Sequence, residues 1–138
     1  MDNKIRVLRL DPEKDNAEVL TIDRSLEGYY EAINCRIVEM PVRYIGNEAF
    51  TVICDEEGTF KENIFPSAFD SNGQAQLVGT LLFCRHDFNQ GILLSLSDED
   101  IALLQSNVRK VCTTKHPEGV LAMMGVENWP AEMNFMGH

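Results

Sequence analysis

The chain has 138 residues, 44% hydrophobic and 25% charged, a length and composition that suit one domain with a buried core. Its net charge of −10 argues against nonspecific nucleic-acid binding and against an anionic membrane surface, because both favour an excess of Lys and Arg. No apolar run reaches membrane-spanning length, and the first residues lack the apolar core of a signal peptide, so we expect a cytoplasmic protein.

The first third of the chain predicts a hairpin followed by a short helix. Residues 4–10 and 17–22 read as two strands on either side of a polar turn. Ser25 or Asp23 can cap a helix over residues 25–34 by accepting hydrogen bonds from its free amides. Four bulky side chains recur at helical spacing on one face of this helix: Leu26, Tyr29, Tyr30 and Ile33.

A central strand is predicted over residues 49–54, since most side chains on both of its faces are apolar, β-branched or aromatic. Residues 35–45 predict a long strand before it, bulged or near an edge at Pro41, which lacks a backbone donor. The acidic turn at 55–58 follows. Its three adjacent acids do not have the spacing of a calcium loop, so we interpret it as a solvated turn.

Residues 59–76 predict an irregular loop that contains the apolar segment 64–69. Phe65, Pro66 and Phe69 either plug the edge of the core or serve as anchors of a recognition loop. The sequence leaves both alternatives open.

The last regular elements are a strand over 77–85, a turn, a short strand at 92–94 and a helix over 98–111 capped by Ser97. Acids in the first turn and Arg109 and Lys110 in the last match the helix dipole. Its buried stripe is predicted to comprise Ile101, Leu104, Val108 and Val111.

The tail, residues 112–138, carries Met, Trp and Phe side chains among Gly and Pro without a steady period. It is interpreted as an irregular strap over the sheet or as a segment that contacts a partner or a second copy of the chain. Trp129 and Met133 are its contact candidates. Together these signals predict a single α+β domain over 1–138, with a mostly antiparallel mixed sheet and two main helices packed on it.

Catalytic and metal-binding patterns are weak. No glycine-rich phosphate loop or nucleophile elbow occurs. Cys84 and His86 would point to one face of a strand, where a Cys–His pair could act, but a buried thiol and a turn histidine explain the same residues. The scattered cysteines do not follow a standard zinc spacing, so we expect neither a metal nor a cofactor.

From residue 4 to about residue 111 the chain resembles an uncharacterised family of small proteins from phages and conjugative elements, which carry a domain of unknown function. Five segments carry the resemblance: Ile5-Arg6-Val7-Leu8, Cys54-Asp55-Glu56-Glu57-Gly58, Ile64-Phe65-Pro66-Ser67-Ala68, Gly79-Thr80-Leu81-Leu82-Phe83 and Ser95-Leu96-Ser97-Asp98-Glu99-Asp100-Ile101. The resemblance implies an accessory protein in the cytoplasm of a bacterial host, acting against host defence.

The leading hypothesis is a non-enzymatic module that binds a host protein. Its contact candidates are Phe65, Pro66, Phe69, Trp129 and Met133. One alternative is an acidic mimic that occupies a DNA-binding site, and another is a cysteine enzyme built on Cys84 and His86. The remaining alternative is a pocket that sequesters a nucleotide signal, for which the candidate side chains are Arg6, Arg36, Arg43 and Arg85.

Overall fold

A computed structural model describes residues 3–58 and 64–131, which form two helices and eleven strands. The helices are α1 (Leu26–Ile33) and α2 (Asp98–Ser106). The strands are β1 (Lys4–Leu10), β2 (Glu18–Asp23), β3 (Val38–Glu39), β4 (Val42–Ile45), β5 (Glu48–Asp55), β6 (Pro66–Phe69), β7 (Ala75–Val78), β8 (Leu81–Asp87), β9 (Ile92–Leu94), β10 (Val108–Val111) and β11 (Val120–Met123). The predicted α+β class is confirmed.

The main sheet has seven strands in the order β2-β1-β8-β5-β3, with β4 also paired to β5 and β9 to β8. All of these pairs are antiparallel. The predicted hairpin and central strand are both confirmed, because β1 pairs with β2 and β5 lies between β8 and β3. Phe50 and Val52 are buried on one face of β5 and Ile53 on the other, as its two-sided apolar pattern indicates.

Each face of the main sheet has its own apolar core. On one face, α1 contributes Tyr29 and Ile33 to a cluster that also contains Leu82 and Cys84 of β8. On the other face, α2 and a second sheet cover the larger cluster, in which Leu104 is fully buried. Successive side chains of a strand point to opposite faces, so β8 supplies residues to both cores.

The second sheet has the order β10-β11-β6-β7, and its β11–β6 pair is parallel. Two expectations are corrected here. Pro66–Phe69, predicted within an irregular loop, is strand β6, and Val120–Met123, predicted within an irregular tail, is a fully buried strand inside the sheet. Both segments become strands because each supplies hydrogen-bonding partners to the other, a contact that spans more than 50 residues of sequence.

The predicted helix over 98–111 is correct at its start and wrong at its end. Ser97 caps α2 in a reciprocal capping box with Asp100. The helix ends at Ser106, and Val108–Val111 forms β10 against β11. Arg109 and Lys110 therefore lie on a strand rather than in a last helical turn.

The remaining predictions near the N-terminus need smaller corrections. Ser25 caps α1 by accepting a hydrogen bond from Gly28 N at 3.1 Å, as predicted. Leu26 falls at helical spacing with Tyr29 and Ile33, but it is 53% exposed whereas they are buried. The long strand expected over 35–45 is divided into β3 and β4 at Pro41, whose carbonyl still accepts from Val52 N. In the part of the chain described, no helix is long and apolar enough to cross a membrane.

Candidate functional site

Cys84 and His86 lie on the same face of β8, but each bonds to a different atom of Thr51. The Cys84 thiol donates to the Thr51 carbonyl oxygen at 3.6 Å, whereas His86 Nδ1 lies 3.1 Å from Thr51 Oγ1. Burial raises the pKa of the Cys84 thiol to about 12, so the thiol stays protonated at neutral pH. This arrangement does not produce an activated cysteine nucleophile.

Two of the four candidate nucleotide-binding arginines meet acids around the first turn of α2. Arg6 Nη1 lies 2.7 Å from Asp98 Oδ1. Arg85 Nη2 contacts both Glu48 Oε1 at 2.6 Å and Asp100 Oδ1 at 2.8 Å. Both side chains therefore have carboxylate partners and support packing between β-strands and α2.

The other two candidate arginines lie elsewhere. Arg36 forms a two-point contact with the Glu57 carboxylate, at 2.9 and 3.1 Å. Arg43 Nη1 donates to the Val42 carbonyl oxygen at 3.0 Å. The four arginines line none of the three cavities described below, so the structure does not gather them into one basic pocket.

The predicted contact segment at 64–69 is divided between surface and core. The Phe65 ring stacks on His116 with centroids 4.4 Å apart, and His116 Nε2 lies 2.9 Å from the Ile64 carbonyl oxygen. Phe65 and Pro66 are half-buried. Phe69 is only 6% exposed and packs in the core, so its ring does not present an anchor at the surface.

Trp129 is 57% exposed and lies at the edge of a cavity of about 350 Å³. Reciprocal backbone hydrogen bonds of 2.8 and 2.9 Å between Tyr44 and Glu127 place this segment against β4. Ser71 fixes the Glu127 carboxylate through its backbone N–H at 2.8 Å and through its hydroxyl. Asn47 Oδ1 accepts from Ala131 N at 2.6 Å. We call the surface formed by Tyr44, Asn47, Glu127 and Trp129 the Trp129 surface.

Phe65 and Trp129 do not share a surface. Phe65 precedes β6 and lines a cavity with Asp11, Asp55 and Thr80. Trp129 lies beyond the opposite end of β6, where Phe69 accepts from Val126 N. Met133 lies outside the described residues. The aromatic contact candidates therefore belong to separate regions, and Trp129 is the most exposed of those described.

Sequence reasoning missed one cavity of about 300 Å³ on the α1 face of the main sheet. Its lining residues are Arg24, Tyr29, Met40, His86, Gly91, Ile92 and Leu93. Arg24 lies between Asp23 and Ser25, the two residues that the sequence offers as caps of α1, and its own sequence context predicts no further role. The sequence carries little sign that Arg24 lines a cavity, because the cavity forms only when the fold brings β8, β9 and Met40 beside α1.

No metal centre is apparent in residues 3–58 and 64–131: no three His, Cys, Asp or Glu side chains there are grouped to hold an ion. Of the four cysteines, Cys54 and Cys84 are buried, Cys35 is half-buried and Cys112 is exposed.

The profile of a family described as a domain of unknown function, DUF3846, matches residues 5–109. The chain belongs to this family. The DUF3846 region contains α1, α2, all of the main sheet except Lys4, and the cavity around Arg24, while β11 and Trp129 lie beyond it. Comparison with curated proteins finds no match, and comparison with solved structures finds none either.

Proposed function

We propose that this DUF3846 protein is a non-enzymatic binding module that contacts a basic protein segment through the Trp129 surface. The observation that carries the proposal is that Trp129, 57% exposed, lines the same cavity as Glu127, whose carboxylate is fixed by two hydrogen bonds. A rigid aromatic side chain with a polar edge is a frequent hot spot of protein interfaces.

The chemistry of this surface favours a partner with Arg or Lys side chains. A guanidinium or ammonium group can lie over the Trp129 indole and meet the Glu127 carboxylate at the same time. The net charge of −10 would speed encounter with such a partner, so association is expected to slow as the salt concentration rises.

The proposed partner is a protein of a bacterial host, and a defence component is the specific case we favour. The support is the resemblance of the chain to accessory proteins of phages and conjugative elements. Catalysis is not part of the proposal, because the Cys84 thiol is protonated and bonded to a backbone carbonyl.

The test is capture of partners from bacterial lysate by the tagged protein, with Trp129→Ala as the test variant and Phe88→Ala as the matched control. Phe88 is also an exposed aromatic residue, at 63%, but lies in the β8–β9 turn. A partner identified by mass spectrometry is then purified and its affinity for all three forms is measured.

We expect Trp129→Ala to weaken binding by about tenfold or more, with native circular dichroism, and Phe88→Ala to bind like the wild type. Equal affinity of the wild type and Trp129→Ala would overturn the assignment of the surface. Loss of binding in Phe88→Ala alone would move the contact to the β8–β9 turn.

A further inference from the structure

The cavity on the α1 face, defined by Arg24, Tyr29, Met40, His86, Ile92 and Leu93, is here called the Arg24 cavity. Its walls come from the start of α1, the segment between β3 and β4, and the β8–β9 hairpin. Gly28 permits α1 to fold closely over the end of β2, because a Cβ at this position would lie 2.4 Å from the Asp23 carbonyl oxygen. This packing holds Arg24 beside Tyr29.

Arg24 differs from the paired arginines of the molecule. Its Nε is buried and has no hydrogen-bond partner within the described part of the chain. No salt bridge links its guanidinium to a carboxylate of residues 3–58 or 64–131, although its backbone N–H donates to Asn3. A buried guanidinium atom without an acceptor costs free energy, which an anionic ligand would recover.

The lining of the cavity is electrostatically unusual for so acidic a protein. Its described lining residues include no Asp or Glu, whereas the cavities beside Phe65 and Trp129 each have at least one carboxylate in the wall. The Arg24 charge is felt at the Tyr29 hydroxyl, where it opposes the larger effect of burial that raises the tyrosine pKa. The cavity thus concentrates positive potential next to an apolar wall.

His86 completes the polar side of the cavity. Thr51 Oγ1 lies 3.1 Å from Nδ1 and can donate its proton there, which leaves the proton of a neutral imidazole on Nε2. Nε2 has no partner among the described residues and is a second donor for an anion. The ring also stacks on Phe88, with centroids 4.3 Å apart, so the imidazole plane is fixed.

We propose that the Arg24 cavity binds a small organic anion. Its carboxylate or phosphate would bond to Arg24, with His86 and the Tyr29 hydroxyl as further donors, and its apolar body would pack on Met40, Ile92 and Leu93. The volume of about 300 Å³ lies at the small end of ligand pockets, which suits one ring or a short chain with one charged group. This site is independent of the Trp129 surface.

The test is a nuclear magnetic resonance titration with three probes: phenylacetate, phenyl phosphate and the neutral phenylacetamide. Signals of the Met40, Ile92 and Leu93 methyl groups report occupancy of the cavity, and ligands of this size are expected to bind in the millimolar range. We expect at least one of the two anions, phenylacetate and phenyl phosphate, to shift these signals. Phenylacetamide is expected to bind more weakly than the anion that shifts them. The relative affinity of the two anions distinguishes a carboxylate ligand from a phosphate ligand.

Arg24→Gln is expected to weaken binding of the anion by about tenfold and to leave binding of phenylacetamide unchanged. Arg24→Lys keeps the charge and is expected to restore part of the affinity. The matched control is Arg36→Gln, because Arg36 is exposed and outside the cavity, and it should bind like the wild type.

The proposal is overturned if neither anion shifts the three methyl signals, or if Arg24→Gln binds the anions within about twofold of the wild type. If Arg24→Gln does not give the spectrum of a native fold, Arg24→Lys takes its place. The proposal is then overturned if Arg24→Lys binds both anions with the affinity of the wild type and binds phenylacetamide as strongly as it binds the anions. The same titration is carried out with Trp129→Ala, which is expected to bind the probes with the affinity of the wild type. The result therefore tests the Arg24 cavity independently of the Trp129 surface.

Discussion

Arg85 and His86 are neighbours on β8, yet their side chains serve two different faces of the main sheet. On the α2 face, Arg85 donates to the Ala49 carbonyl oxygen at 2.8 Å and to two carboxylates, and its guanidinium lies 4.4 Å from the centre of the Phe50 ring. On the α1 face, His86 borders a cavity in which Arg24 has a buried nitrogen without an acceptor. The guanidinium of Arg85 is satisfied within the fold, whereas Arg24 Nε and His86 Nε2 are available to a ligand.

This difference shows that the role of an arginine depends on its hydrogen-bonding partners and not on its charge alone. Asp100 accepts from Arg85 and also from Ser97 N at 3.0 Å, so one carboxylate joins the start of α2 to β8. Arg85 is thereby part of the scaffold. Arg24 has no carboxylate partner in the described chain. A structural role for Arg24 does not explain why its Nε is buried without a hydrogen-bond acceptor.

The α2 face is expected to be sensitive to the loss of packing. Leu104 is fully buried in the larger core, so Leu104→Ala removes transfer free energy and leaves a cavity. We expect a loss of about 2–5 kcal/mol in the free energy of unfolding, measured by urea denaturation. A loss below about 0.5 kcal/mol would show that this face is not a packed core.

The α1 face is expected to protect its cysteine from reaction. Cys84 is buried, its thiol pKa is about 12, and Cys112 is exposed. Under native conditions at pH 8, iodoacetamide should modify Cys112 at least about a hundredfold faster than Cys84, as followed by peptide mass mapping. All four cysteines should react in denaturant. Comparable rates at Cys84 and Cys112 in the native protein would revive the cysteine-enzyme hypothesis.

Removing the paired arginine is expected to destabilise the fold. Arg85→Met keeps most of the apolar stem but deprives Asp100 of its charged partner, and Asp100 is only 9% exposed. We expect a loss of about 2 kcal/mol in the free energy of unfolding, because a carboxylate that has lost its hydrogen-bonded cation is costly to bury. An unchanged denaturation midpoint would contradict the structural role of Arg85.

The same pair predicts a pH dependence. The hydrogen bond from Arg85, and then those from Ser97, hold the pKa of Asp100 below its ordinary value of 3.8. Since the unfolded chain then binds the proton more readily, this contribution to stability is present above about pH 4 and is lost as the pH falls through the lowered pKa. The free energy of unfolding of the wild type should exceed that of Asp100→Asn by about 1 kcal/mol at pH 7, and this difference should shrink below pH 4. A difference that stays constant down to pH 2 would contradict this assignment.

Much of the fold could be predicted from the sequence where local pattern and tertiary context agree. The two-sided apolar pattern of residues 49–54 predicted a central strand, and Ser97 followed by acids predicted the start of α2. The end of α2 could not be predicted in this way. Val108 and Val111 fit a helical stripe, but their pairing with β11 places them in a strand, and their partners there lie 15 and nine positions later.

The candidate site was less predictable for the same reason. The carboxylates that pair with Arg6 and Arg85 lie 92, 37 and 15 residues away, so the sequence did not reveal which arginines were already paired. The cap region that contains Arg24 predicted only the start of a helix. Its proximity to His86 and Leu93 arises from tertiary packing, which no local spacing encodes.

The most direct test of the contrast between the two faces is urea denaturation of Arg24→Met beside Arg85→Met at pH 7. Methionine keeps an apolar stem at each position and removes the charge. We expect Arg24→Met to lower the free energy of unfolding by no more than about 0.5 kcal/mol, because its guanidinium has no ion-pair partner in the described chain to lose. A loss in Arg24→Met as large as that in Arg85→Met would contradict the account and make Arg24 part of the scaffold.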